Sequence, residues 1–282
     1  MNLVVIGDAS TPDLKALHAL AKGSAIERAG DDAFRITHPD PSTRDAVAAH
    51  CAAAQLDFGF VPEGARLADF RLLAMDMDST LIGIECIDEI ADFAGRKAEV
   101  AAVTAAAMRG EIDWPESLRQ RVAALEGLDV AALERVYAER LRFNPGAEAL
   151  IAAARAAGLK TLLVSGGFTY FTDRVRDRLR LDYAYSNVLV EQGGKLAGTV
   201  TGELVDAAGK ATHVKRLKAT LGIDAAQVIA IGDGANDLPM MAEAGTSIAY
   251  HAKPVVRQRA TYSLDHAGLE GVLALFPPRR LR

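Results

Sequence analysis

Two aspartates two residues apart, Asp76 and Asp78, stand directly behind the apolar run Leu72-Leu73-Ala74. Such a run reads as a buried strand, and ligands of open α/β sheets bind at the carboxyl ends of strands. A second acidic pair, Asp233 and Asp237, closes Ile231-Gly232-Asp233-Gly234-Ala235-Asn236-Asp237 behind the apolar run Val228-Ile229-Ala230. Carboxylates gathered at two strand ends suit a hard cation such as Mg²⁺, which prefers oxygen ligands and leaves positions open to phosphate. Phosphoryl chemistry follows. One carboxylate can accept a phosphoryl group as an aspartyl-phosphate. A second can protonate the leaving alkoxide and then take a proton from water. A solvated Asp-rich turn is the plain alternative. A calcium loop fails, because counting from Asp76 its glycine and glutamate positions hold Leu81 and Ile87.

Three further segments bear on an anion. Ser165-Gly166-Gly167 follows the strand-like run 160–164 and precedes a helix; small residues there let backbone N–H groups approach an anion. Taken alone it also reads as a plain strand-to-helix turn. The 232–237 segment superficially resembles a dinucleotide fingerprint, but Asp237 replaces the third glycine and would repel pyrophosphate unless a cation intervenes. Lys210 stands near a helix start, where a lone lysine is ordinarily solvated; spacing does not bring it to the phosphate.

These residues need a sheet to hold them. From 147 onward strands and helices alternate, which predicts a Rossmann-like, mostly parallel sheet covered on both faces. Helices are expected over 147–157 and 212–221, strands over 160–164, 228–231 and 247–250, and a hairpin around Gln192-Gly193-Gly194. Between Ile82 and about Asn144 the pattern is helical, an insert that reads as a cap. Ahead of the acidic strand, residues 1–68 carry a βαββαβ order: a strand over 3–8, a helix with Thr11 as N-cap and Pro12 in its first turn, a hairpin over 25–37, an Ala-rich helix opened by Ser42-Thr43-Arg44-Asp45, and a strand over 57–61. Leu14, Leu17, Leu20 and Ala21 should form the first helix's apolar stripe. The fold class is thus α/β, a parallel sheet with a helical cap, plus an N-terminal α+β ferredoxin-like domain. We divide it as 1–68 and 69–282, with the cap over about 82–144.

Of the 282 residues half are apolar, enough for a sizeable core, and the formal net charge is −5. That balance gives no footprint for nucleic acid; the short basic tail Arg279-Arg280-Leu281-Arg282 reads as a frayed end. No run reaches the ~20 apolar residues of a membrane helix, and Met1-Asn2-Leu3-Val4-Val5-Ile6-Gly7 lacks the basic leader of a signal peptide. A cytoplasmic chain is expected. Cys51 and Cys86 fit neither a disulfide framework nor a zinc site; both sit in apolar helical patterns and are expected as buried free thiols.

The order strand-Asp-x-Asp-x-Thr, helical insert, strand-Ser-Gly-Gly, Lys, strand-Gly-Asp-Gly-x-Asn-Asp resembles the haloacid dehalogenase-like phosphohydrolases. Ile84-Glu85-Cys86-Ile87-Asp88-Glu89, Ala107-Met108-Arg109-Gly110-Glu111, Ser117-Leu118-Arg119-Gln120-Arg121-Val122 and Val164-Ser165-Gly166-Gly167-Phe168 look like the branch that acts on O-phospho-L-serine. The resemblance covers about residues 70–270. It implies Asp76 as nucleophile and Mg²⁺ ligand, Asp78 as general acid and base with its carbonyl on the metal, Asp233 as third ligand and Asp237 orienting metal waters. Ser165 and Lys210 would hold the phosphate, with help from the backbone of Gly166 and Ser79 and with Asn236 nearby. Glu85 would meet the substrate ammonium and Arg121 its carboxylate, the latter by two parallel hydrogen bonds. Met108 and Trp114 would shield the closed site; a phenylalanine is common in some relatives at the tryptophan position. The N-terminal order resembles ACT domains, which bind amino acids at subunit interfaces, so serine or another amino acid and a homodimer are implied. A phosphotransferase passing the group to another small alcohol would share the phosphate motifs. An amino-acid sensor without turnover is disfavoured by the complete set Asp76, Asp78, Ser165, Lys210 and Asp233.

Overall fold

The computed structural model describes residues 1–278, the side chain of Met108 excepted. The expectations for Met108 and for the tail Arg279-Arg280-Leu281-Arg282 therefore lie outside the described residues. The chain opens with β1 (Asn2–Ile6), α1 (Thr11–Leu20), β2 (Ile26–Gly30), β3 (Ala33–Thr37), α2 (Arg44–Ala53) and β4 (Asp57–Val61). Four antiparallel strands pair in the order β2-β3-β1-β4, with Leu3 opposite both Ile36 and Phe60. Alternation puts Leu3, Val5, Ile36 and Phe60 on one face, where they meet Leu17 and Ala21 from the first helix and Val47 and Cys51 from the second. The N-cap of α1 is Ser10 rather than Thr11: its hydroxyl accepts from the Asp13 N–H, and Asp13 returns the bond as a capping box. Leu20 is exposed, so the stripe narrows to Leu17 and Ala21, both buried, with Leu14 half-buried.

After β4 come β5 (Leu72–Met75), α3 (Cys86–Phe93), α4 (Lys97–Met108), α5 (Trp114–Ala123), α6 (Ala131–Arg135), α7 (Ala147–Ala156), β6 (Lys160–Phe168), α8 (Thr169–Leu179), β7 (Tyr183–Gln192), β8 (Lys195–Thr201), α9 (Ala207–Leu221), β9 (Val228–Gly232), α10 (Leu238–Met241), β10 (Thr246–Tyr250), α11 (Pro254–Arg257), β11 (Tyr262–Leu264) and α12 (Gly271–Leu275). The alternation is that of an α/β fold, as the pattern predicts. Two compact units arise. One holds Met1–Leu73, Asn144–Lys160 and the chain from Ile223 onward; the other holds Ala74–Phe143 and Thr161–Gly222.

In the first unit β9, β10 and β11 run parallel, with Ile248 opposite both Ile231 and Tyr262. The N-terminal sheet packs against this part through the face that carries Val4 and Gly59. A Cβ placed on Gly59 would lie 2.7 Å from Leu275 Cδ2 and 2.8 Å from Tyr262 Cδ1, so only glycine permits the approach. The buried Asp57 carboxylate accepts the backbone N–H groups of Asp265, His266 and Ala267 at 2.7, 3.0 and 2.7 Å. A cleft of about 870 Å³ opens beside this clamp, lined among others by Arg44, Phe58, His251 and His266.

In the second unit β6 and β7 run parallel, and their register shifts between Val164 and Phe168. Strands β7 and β8 form the expected hairpin; Gly193 and Gly194 both take positive φ, as a tight two-residue turn demands. The insert is helical, α3 to α6 followed by a π-helical turn over Val136–Arg140. Helix α9 starts at Ala207, five residues before the expected 212, because Asp206 caps it through the Gly209 N–H at 2.7 Å. Both cysteines are free and buried. No helix among the described residues is long and apolar enough to cross a membrane.

Candidate active site

Strand β5 ends at Met75, and the next six residues wind tightly. The Met77 carbonyl accepts N–H groups from Thr80, Leu81 and Ile82 at 3.3, 2.9 and 3.0 Å, and Ser79 adopts φ +57°. The winding separates the two aspartates. Asp76 is buried, and its Oδ1 accepts the Met77 N–H at 2.7 Å and the Lys210 ammonium at 2.8 Å. Lys210 itself is 1% exposed. Asp78 is half-buried, and its Oδ1 accepts the Cys86 N–H at 3.3 Å. Its carboxyl is pushed up to about 7, first by burial and then by the charge of Glu85; the Cys86 bonds and Lys210 oppose the shift. The Cys86 thiol is pushed well up, by burial and by Asp78.

Ser165, Gly166 and Gly167 lie inside β6, not behind it, within the register shift. The parallel ladder is broken there, so their backbone groups turn to other partners. The buried Ser165 Oγ accepts the Gly167 N–H at 2.9 Å. A Cβ on Gly167 would lie 2.9 Å from Asp78 Oδ2 and 3.1 Å from Ser165 Oγ, which puts this segment against Asp78. A Cβ on Gly166 would lie 3.1 Å from Cζ2 of Trp114, the first residue of α5.

Glu85 is the exposed N-cap of α3, and its Oε1 accepts the Ser79 hydroxyl at 2.7 Å. Arg121 lies on α5, half-buried, with its Nε donating to the Ser117 carbonyl at 3.3 Å. Burial lowers its pKa, while the charges of Asp88, Glu85 and Asp78 raise it. Three carboxylates of its own unit thus act on the Arg121 charge. Asp88 in this trio escaped the sequence reading; its helical spacing from Glu85, three residues on, was the available signal.

The remaining candidates belong to the first unit. Behind β9, the fully buried Asp237 carboxylate accepts the N–H groups of Asp233 and Gly234 at 3.1 and 3.0 Å. A Cβ on Gly232 would lie 2.5 Å from that carboxyl, so glycine is required for the turn to close. Asn236 folds back, its Oδ1 2.1 Å from where a Gly234 Cβ would stand. Asp233 is half-buried, and its carbonyl accepts the Lys253 N–H at 3.1 Å. The residues able to hold a metal ion are Asp76 in the second unit and Asp233 and Asp237 in the first. Each offers carboxylate oxygen, the kind of donor that Mg²⁺ prefers.

A family model of the haloacid dehalogenase-like hydrolases matches residues 73–242. The chain belongs to that family. Within these hydrolases, the phosphoserine phosphatase of Albidiferax ferrireducens is 57% identical over 225 residues, 78% of this chain and 94% of that protein. The solved structure of a probable phosphoserine phosphatase from Vibrio cholerae, unliganded, is 38% identical with a TM-score of 0.84, over 97% of this chain and 85% of that one. A phospho-aspartyl intermediate analogue of phosphoserine phosphatase is 36% identical with a TM-score of 0.69, over 73% of this chain and 99% of that one. A second family model, a domain of unknown function, matches residues 7–47.

Proposed function

We propose that this hydrolase converts O-phospho-L-serine and water to L-serine and phosphate through an aspartyl-phosphate. The observation that carries the reading is the second unit's arrangement: a buried carboxylate, Asp76, held by a buried lysine, with a second carboxyl raised to about 7 on the same turn and Ser165–Gly167 packed against it. The kinship with phosphoserine phosphatases and with the phospho-aspartyl analogue supports the substrate and the intermediate.

An Asp76 oxygen attacks phosphorus, and the bond from phosphorus to the serine oxygen breaks. Asp78 gives its proton to that oxygen, and L-serine leaves. Water then attacks the phosphoryl group while Asp78 takes its proton; the Asp76–phosphorus bond breaks, and phosphate leaves with both carboxyl groups restored. Lys210 offsets repulsion between Asp76 and the dianionic ester, and Ser165 with the Gly166 backbone cradles the phosphoryl oxygens. Positioning and charge carry most of such a reaction. Asp76, Asp233 and the Asp78 carbonyl would hold Mg²⁺, with Asp237 supporting its hydration, and the ion would supply positive charge for phosphoryl transfer. Asn236 would assist in binding the phosphate. Glu85 reads the substrate ammonium, Arg121 its carboxylate, and Trp114 excludes water. L-Serine as product places the step in amino-acid biosynthesis.

We assign residues 1–68 to an ACT-like regulatory or assembly domain and 69–282 to the phosphatase core with its cap over about 82–144. The βαββαβ order supports the first assignment, with serine or another amino acid as its ligand and a homodimer as its assembly.

Phosphate release from L-phosphoserine, phosphothreonine and an aryl phosphate, with and without Mg²⁺, tests the reading, with Asp76→Asn as blank. The expected result is a strong Mg²⁺-dependent preference for phosphoserine that Asp76→Asn abolishes. Turnover of the aryl ester with none of phosphoserine sinks the substrate assignment.

A further inference from the structure

Asn187 sits in β7 with 1% of its surface exposed. Asparagine is depleted from strands, and a buried amide must find partners. Its Nδ2 donates to the Gly166 carbonyl at 2.9 Å, and its Oδ1 accepts the Val205 N–H at 2.9 Å; a longer contact of 3.5 Å runs from Nδ2 to the Val205 carbonyl. Gly166 lies where the β6–β7 ladder is interrupted: Val164 pairs with Tyr185 and Phe168 next with Asn187, so three residues of β6 have no ladder partner on β7. The Asn187 side chain stands in for the missing strand bond.

Its other end matters equally. Val205 precedes Asp206, the cap of α9, and the Lys210 N–H donates to the Asp206 carbonyl at 2.8 Å. One amide therefore joins the Ser165–Gly166 segment to the start of the helix that carries Lys210. Trp114 also packs against Gly166. We infer that Asn187 is a positioning residue: it fixes the Gly166 peptide against the start of α9 and so sets the spacing between the Ser165–Gly166 cradle and the Lys210 ammonium. This rests on the proposed reading of those groups as the phosphate holders. Misplacement by about 1 Å in such a constellation costs up to about a hundredfold in rate.

A merely structural amide would weaken all ligands alike or none. A positioning amide weakens phosphate and spares the amino-acid end, which Glu85 and Arg121 read. Asn187→Asp keeps the acceptor for Val205 and loses the donor to Gly166; Asn187→Ala loses both. Calorimetry in Mg²⁺ buffer should show inorganic phosphate binding about tenfold or more weaker in both variants, L-serine binding within about twofold of wild type, and a reduced kcat. Equal losses for phosphate and serine, or an unchanged phosphate affinity, overturn the inference. Amide hydrogen exchange in the wild-type protein decides the matter should the variants not fold. Phosphate is expected to slow exchange of the Val205 N–H and serine to leave it unchanged; no effect of phosphate refutes the role. Absence of phosphoserine turnover in wild type would defeat the proposed reaction, while the exchange result would still judge Asn187.

Discussion

The Lys210–Asp76 pair makes a quantitative prediction that needs neither substrate nor metal. The two charges stand 2.8 Å apart, with side chains 1% and 6% exposed. At an effective dielectric of about 20, their gross attraction is about 6 kcal/mol. Desolvation takes back a large share, and removing one member of a buried pair typically costs about 3–5 kcal/mol, since the other charge is left uncompensated. Lys210→Met takes the ammonium from Asp76, and Asp76→Asn takes the carboxylate charge from Lys210. The double variant removes both charges at once. Its loss should fall short of the summed single losses by about 3 kcal/mol. Urea unfolding in EDTA, at pH 7, reads all four proteins, and a loss of that size moves the midpoint by about 1 M at an m-value of about 3 kcal/mol/M. Losses that add within about 0.5 kcal/mol would mean the groups do not couple, and Asp76 would then not be held ready by Lys210.

Two other outcomes follow from the same geometry. Asp78 keeps its proton in the folded, metal-free protein up to about pH 7, whereas the unfolded chain releases it near 3.8, as an ordinary aspartate does. The folded state thus binds more protons in between, and this group makes stability fall as pH rises from about 4 to about 7. The slope should be shallower in Asp78→Asn, read from urea midpoints in EDTA; identical slopes would place the raised titration elsewhere. Asp57→Ala leaves three backbone N–H groups without their carboxylate. Water from the adjoining cleft limits the damage to the low end of the usual penalty, about 1 kcal/mol per donor and about 3 kcal/mol together, a drop of roughly 6–12 °C in Tm. A Tm within about 2 °C of wild type would show that the clamp bears no load.

Much of this was legible in the residue pattern because strand-tip chemistry is local. An apolar run followed by Asp-x-Asp is a strand end with two carboxylates, and Gly193-Gly194 between apolar runs is a hairpin whatever surrounds it. Lys210 was not legible as a buried cation: its partner lies 134 residues upstream, and no spacing rule links them. Ser165-Gly166-Gly167 looked like a turn because glycines punctuate turns. Instead it is an irregular stretch of strand, made tenable by the side chain of Asn187, which carries no signal in sequence. The short α11, β11 and α12 fell below the length at which periodicity speaks. The places of β11 and α12 are fixed by what they and the loop between them cover, Gly59 and the clamp at Asp57, and not by propensity.

The Asp57 clamp also has a history in time. Its three donors lie 208 to 210 residues further along the chain. At about 5–20 residues per second of synthesis, the N-terminal sheet waits roughly 10–40 s with the Val4–Gly59 face uncovered and one carboxylate unanswered. Its other face, built on Leu3, Val5 and Ile36 against α1 and α2, is complete at once. The newborn module is therefore a half-finished layer whose last wall is the later segment around Tyr262, Asp265 and Leu275. A chain that stopped before Asp265 would leave the Gly59 face and the Asp57 carboxylate uncovered.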